Sequence, residues 1–176
     1  MNYYNEIKQK LLDNEIYEKV KDYSKERNKV ITYFETGKLL YEAGSIYGEN
    51  IIGKYSERLM LEVGRKYNRR TLFRMKQFYT KFNDQKVSPA ATLLSWSHYL
   101  LLLPIKNNNE INYYINQVRN RKLSKRQLEE IIKNKEYERL PEETKNKLIE
   151  QKDSKIIDYI KNPIIIRNPN NIEVIK

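Results

Sequence analysis

The sequence predicts an all-α protein: a multi-helix domain containing a helix-turn-helix-like unit, with a short extended or hairpin C-terminal tail. Three observations lead there. Only five Gly and five Pro punctuate 176 residues. No strand-like alternation of apolar and polar residues is sustained before the tail. Apolar residues instead recur at three- and four-residue spacing, the mark of a helix with one buried face.

Taken in order, a first helix is expected over Tyr3 to Leu12 and a longer second one over Ile16 to Glu42. In the latter, Val20, Tyr23, Arg27, Val30, Phe34 and Leu40 lie near helical spacing. Gly44-Ser45-Ile46-Tyr47-Gly48 reads as a break, and a short segment to Lys54 leads into a helix from Ser56 to Val63 that ends at Gly64. Asn68 is a natural N-cap for a helix reaching Phe82. There Leu72, Met75, Tyr79 and Phe82 fall at i, i+3, i+7 and i+10, forming a buried stripe, while Arg70, Arg74, Gln77 and Lys81 project to a different side. Helix, glycine turn and basic helix together outline a helix-turn-helix reader. Arg65 and Lys66 follow the glycine where an apolar residue is usual, which points to an extended or winged-type turn.

The turn at Asn83 to Pro89 separates this helix from an apolar block, Ala90 to Leu103, that holds Ser95-Trp96-Ser97-His98-Tyr99. Asn107 to Asn109 can cap a helix from about Glu110 to Asn120. Ser124 and Gln127 make an S-x-x-Q capping box for a helix to about Asn134. Another helix is expected after Pro141, to about Ile160. The domain division follows: residues 1–160 are helical and 161–176 form a tail or linker, in which Ile164 to Ile166 and Ile172 to Ile175 either close as a hairpin or lead elsewhere.

The formal net charge is +11 and the sequence pI about 9.6, a balance that attracts phosphate-rich partners. Clustering is more telling than the total. Between Gly64 and Phe82 stand seven Lys/Arg and no acid, and Ile111 to Leu128 carries Arg119, Arg121, Lys122, Lys125 and Arg126, again with no acid. Cations near a helix end suit its dipole, but Lys125 and Arg126 lie near a helix start, where that benefit is absent or reversed. Phosphate clamping accounts for them. Fifteen Tyr against four Phe, with abundant Lys, Asn and Ile, fit an AT-rich coding bias and carry little functional weight.

Other classes find little support. There is no Cys, hence no disulfide and no thiolate metal site. The N-terminus is polar and charged, unlike a signal peptide, and Tyr99 to Leu103 is too short to span a bilayer, so an intracellular, cytoplasmic location is expected. The single His98 and Trp96 read as packed core residues. A metal-dependent nuclease needs clustered carboxylates and a lysine. The nearest imitation, Glu173 with Lys176, would place its side chains on opposite faces of a strand. No phosphate-binding glycine motif occurs. No catalysis, metal or cofactor is expected.

Several blocks carry a resemblance: Tyr47-Gly48, Leu59 through Gly64, Asn68-Arg69-Arg70-Thr71-Leu72 with Met75 and Phe78-Tyr79, Leu94 through Tyr99, Arg126-Gln127-Leu128, and Tyr137 through Leu140. Over about Val30 to Leu140 the chain resembles the N-terminal domain of the YhcG-type proteins, the domain of unknown function 1016 family. The resemblance implies a helical, DNA-binding N-terminal domain followed by a PD-(D/E)xK nuclease domain. Ile160-Lys161-Asn162-Pro163 resembles the junction into that second domain, so the chain is expected to carry the binding half without the catalytic half.

The expectation is therefore a non-catalytic domain of a nuclease-associated protein that binds double-stranded DNA. Two basic clusters, Arg65, Lys66, Asn68, Arg69, Arg70, Arg74, Gln77 and Lys81 in the first and Arg119, Arg121, Lys122, Lys125 and Arg126 in the second, would grip backbone phosphates while the Asn68–Phe82 helix lies in the major groove. The alternatives are a protein-interaction or oligomerisation module, with a nuclease domain or subunit as partner, and RNA binding.

Overall fold

The computed structural model describes residues 2–19, 25–83 and 94–149. All regular structure among them is helical. Contacts divide the chain into two units, Met1–Asn134 and Lys135–Lys176. The expected border at residue 160 and the tail lie outside the described residues.

The first unit holds α1 (Tyr3–Lys19), α2 (Lys25–Tyr47), α3 (Asn50–Glu62), α4 (Arg69–Phe82), α5 (Trp96–Leu102), α6 (Asn108–Arg121) and α7 (Lys125–Lys133). The first helix runs past the expected stop at Leu12, because its polar residues are satisfied within the helix. Gln9 Nε2 donates to Asp13 at 2.9 Å and Asn14 Nδ2 to Glu18 at 3.3 Å, both i to i+4. The second helix continues through Gly44 and stops only at Gly48, whose φ of +79° is the left-handed conformation that glycine adopts without cost. The third begins at Asn50, earlier than expected.

Helix α2 packs along α4 and α1, and more lightly on α3 and α5. Its Gly37 makes the α4 crossing possible: a Cβ there would lie 2.1 Å from the Met75 carbonyl oxygen and 2.9 Å from Tyr79 Cβ. Beside the crossing, Phe34 meets Phe78 and Tyr79 with ring centroids 5.5 and 5.3 Å apart. Phe78 in turn meets Trp96 and Tyr99 of α5 at 5.3 and 4.6 Å. Tilted and edge-on pairs of this kind add to the burial of the rings themselves. Trp96 is thus a core residue, as its setting in the sequence implies, and Tyr99 is one beside it.

The buried stripe of α4 is Leu72, Met75, Phe78 and Phe82. Phe78 occupies the place expected of Tyr79, which is half-buried between Phe34 and Tyr41. The buried arc is wider than one stripe because α4 is covered from two sides, by α2 and by α5.

In the second unit, the described residues 135–149 include a helical stretch at 142–149, here α8, following Pro141 as expected. Lys145 pairs with Glu142 at 2.7 Å and lies 5.6 Å above the Tyr137 ring.

Candidate nucleic-acid interface

The connection between α3 and α4 is built by ordinary capping chemistry. Val63 and Gly64 N–H both donate to the Leu59 carbonyl, at 2.9 and 3.0 Å, and Tyr67 N–H donates to Gly64 O at 3.0 Å. Asn68 caps α4, its Oδ1 accepting from Thr71 N–H at 3.1 Å. The glycine itself is not demanded by this turn: its φ is not positive, and a Cβ would meet nothing within 4 Å.

Within the acid-free run, residue type divides the cations by what they touch. The three lysines are tied into the fold. Lys66 Nζ reaches Glu15 and Glu18, each at 2.6 Å. Lys76 pairs with Glu49 and stands 6.0 Å from the Tyr41 ring. Lys81 Nζ donates to the Leu103 carbonyl at 2.8 Å and to that of Ile105, just past the end of α5. Burial lowers the Lys81 pKa, as expected for an ammonium taken partly from water. Partial burial also opposes the charge on Lys66, but bonds to Glu15 and Glu18 outweigh it and raise its pKa.

These bonds correct two sequence expectations. Lys81 does not line the exposed side of α4, because its ammonium turns inward to two carbonyls. Lys66 is exposed, but its charge is met by two carboxylates.

The four arginines behave differently. Arg65, Arg69 and Arg70 are exposed and Arg74 is half-buried. No carboxylate among the described residues pairs with any of them. Arg69 lies 5.4 Å from the Phe73 ring of its own helix, and Gln77 is exposed on the same side as Arg70. Arg69 and Arg70 are the first two residues of α4, whose first turn holds no acid. Two cations there oppose the helix dipole, at about 0.3–1 kcal/mol each, so helix stability did not place them.

The second basic segment repeats this arrangement. Ser124 caps α7 with a complete capping box: Gln127 N–H to Ser124 Oγ at 3.4 Å, and Ser124 N–H to Gln127 Oε1 at 2.9 Å. Lys125 and Arg126 are again the first two helical residues. The residue before each cap is buried (Tyr67, Leu123), and so is the leucine at the fourth helical position (Leu72, Leu128). Apolar residue, cap, two cations and buried leucine therefore occur twice, a repetition that spacing rules for whole helices passed over. Arg119, Lys122, Lys125 and Arg126 are exposed with no carboxylate partner among the described residues. Arg121 is exposed and bonded to Gln117 at 3.5 Å. Lys122 ends α6 in the left-handed conformation, φ 50° and ψ 46°, where glycine is usual.

His98 ties α5 to the α6–α7 turn. Its Nδ1 accepts from Ser95 N–H at 3.2 Å, so the proton sits on Nε2, which donates to the Leu123 carbonyl at 3.0 Å. Burial pushes its pKa below 6.5, keeping the ring neutral and both bonds intact.

The chain belongs to the DUF1016 N-terminal domain family. The family model matches residues 6–139, through every helix described so far except α8 and the first residues of α1. No curated protein and no solved structure matches the chain. The match is to this N-terminal domain alone, and no catalytic domain is shown. Among the described residues, no group of three or more His, Asp or Glu is placed to hold a metal ion, and no helix is long and apolar enough to cross a membrane.

Proposed function

We propose that this DUF1016 N-terminal domain is a non-catalytic DNA-binding module of a nuclease-associated protein. The observation that supports it most is the set of four arginines at α4, Arg65, Arg69, Arg70 and Arg74, which have no acidic partner among the described residues while every lysine of the same run is engaged. Arginine combines a permanent charge with a planar donor fork that suits phosphate oxygens and guanine edges. Gln77, on the same side, suits adenine. The α4 helix lies in the major groove, its first backbone N–H groups and Arg69 and Arg70 facing phosphates. Arg119, Lys122, Lys125 and Arg126 grip the backbone at a second place, with Arg121 beside them.

Phosphate contacts alone give weak binding, with Kd on the order of 10⁻⁴ to 10⁻⁶ M at physiological salt. Each phosphate neutralised adds about 0.9 to the slope of log affinity against log salt. Replacing Arg70 and Arg74 together by Ala should therefore weaken duplex binding and lower the slope by about 1.8. Fluorescence anisotropy of a labelled duplex at several salt concentrations measures both. Unchanged binding by a folded double variant removes α4 from the interface. A preference for structured RNA at matched salt, or a stable assembly indifferent to duplex, would replace DNA as the partner.

A further inference from the structure

The turn that launches α4 is held from behind by a part-buried polar clasp. Tyr67, the residue before the cap, is fully buried. Its hydroxyl donates to Glu15 of α1, its ring stands edge-on to Tyr33 at 6.5 Å, and its carbonyl accepts from Ser56 Oγ of α3 at 3.4 Å. Lys66 closes the clasp by bridging Glu15 and Glu18, and Glu18 is held further by Lys29 of α2 at 3.2 Å. Three helices thus meet on two consecutive residues, immediately before the first basic turn of α4.

We propose that Glu15 is a positioning residue for nucleic-acid binding: through Tyr67 and Lys66 it fixes the direction in which Arg65, Arg69 and Arg70 leave the fold. This rests on the DNA-binding reading above. Arginine side chains reach productive contacts only if their helix start is already in place, and a start that samples other directions lowers affinity by the fraction of time it is misplaced. The clasp has the features such a role needs. The anchor is a buried ring, which resists displacement. Its hydroxyl is matched by the Glu15 carboxylate, which Lys66 in turn pairs, so opening the clasp leaves unpaired charge in a part-buried setting. Lys66 is then a strut of the fold and contributes no phosphate contact.

Glu15→Gln, Tyr67→Phe and Lys66→Met are made in the full chain and compared with Arg70→Ala. In the three clasp variants, hydrogen exchange at the Thr71 and Leu72 amides, which donate to Asn68, should quicken, while amides near Leu40 in α2 keep their protection. Duplex affinity should weaken by about tenfold, the effect of a competent start populated about one time in ten. The salt slope should stay as in the parent, because no phosphate contact is lost, whereas Arg70→Ala lowers it by about 0.9. Glu15→Gln preserves size and serves if Tyr67→Phe fails to fold. Unchanged exchange and affinity in Glu15→Gln would overturn the proposal, as would a slope lowered in Lys66→Met with exchange unchanged. Should the parent chain bind no duplex, the functional reading fails, and the exchange data alone decide whether the clasp holds the helix start.

Discussion

Gly37→Ala tests the central packing of the fold. The added methyl would sit 2.1 Å from the Met75 carbonyl oxygen, against about 3.4 Å for ordinary contact, so α2 and α4 must part by about 1.3 Å at that point. The obstacle is backbone, which cannot swing aside as a side-chain tip does. A gap of about 1 Å forfeits a quarter to a half of the dispersion between facing atoms, here Phe34 against Phe78 and Tyr79. Overpacking costs about 1–3 kcal/mol, and this backbone clash belongs at the upper end. Against it stands about 1 kcal/mol of helix propensity gained by Ala over Gly. The net expectation is about 2 kcal/mol of destabilisation, a fall in Tm of roughly 6–8 °C for a unit of this size. Urea unfolding followed by far-UV circular dichroism should show a lower midpoint with unchanged m. Gly53→Ala is the control: a Cβ at that position in α3 meets nothing within 4 Å, so the propensity gain appears alone and stability rises by about 0.5–1 kcal/mol. Equal behaviour of the two variants would refute the close crossing.

His98 should give stability a pH dependence. Because burial holds its folded value below 6.5, the unfolded chain takes up the proton first. Its contribution is complete above about pH 6.5, and it shrinks as pH falls from there through the lowered folded value. Urea midpoints between pH 5 and 8 should flatten in His98→Ala, which also loses about 1–3 kcal/mol at pH 8 by leaving the Leu123 carbonyl and Ser95 N–H unpaired. A profile as steep as the parent's would dismiss His98 as its source. Lys122→Gly should stabilise the protein by about 1 kcal/mol by relieving a left-handed backbone, and should lower the salt slope of binding by about 0.9. Thermal unfolding and the anisotropy titration read the two effects separately, and a loss of stability would count against strain at this residue.

Local chemistry was legible from the sequence, and distant partnership was not. The caps at Asn68, Asn107 and Ser124 follow from residue type and from hydrogen bonds spanning two or three positions, and all three form. The all-α class follows from the same short-range signals. The ends of α1 and α2 are not legible in the sequence because Asp13, Asn14 and Gly44 weaken an isolated helix, while i to i+4 bonds and tertiary packing override that weakness here. The sorting of cations was hidden for a different reason. Lys66 meets Glu15 and Glu18, and Lys81 meets carbonyls beyond α5, each across many residues of chain. Spacing along one helix cannot distinguish a lysine that will fold back from an arginine that will stay in solvent. Glu15 carried no signal of its own. Tyr67 did: an apolar residue before the cap with Leu72 at the fourth helical position is the pattern of a hydrophobic staple.

The division between arginine and lysine along α4 bears on chemical modification. A guanidinium keeps its charge at any cellular pH and is not a target of acetyl transfer, so the field at Arg65, Arg69, Arg70 and Arg74 is constant. Within this run acetylation would find only Lys66, Lys76 and Lys81, each already bonded within the fold. It would loosen the framework behind α4 and leave these four guanidinium charges untouched, whereas the exposed Lys122 and Lys125 of the second basic segment stay open to it.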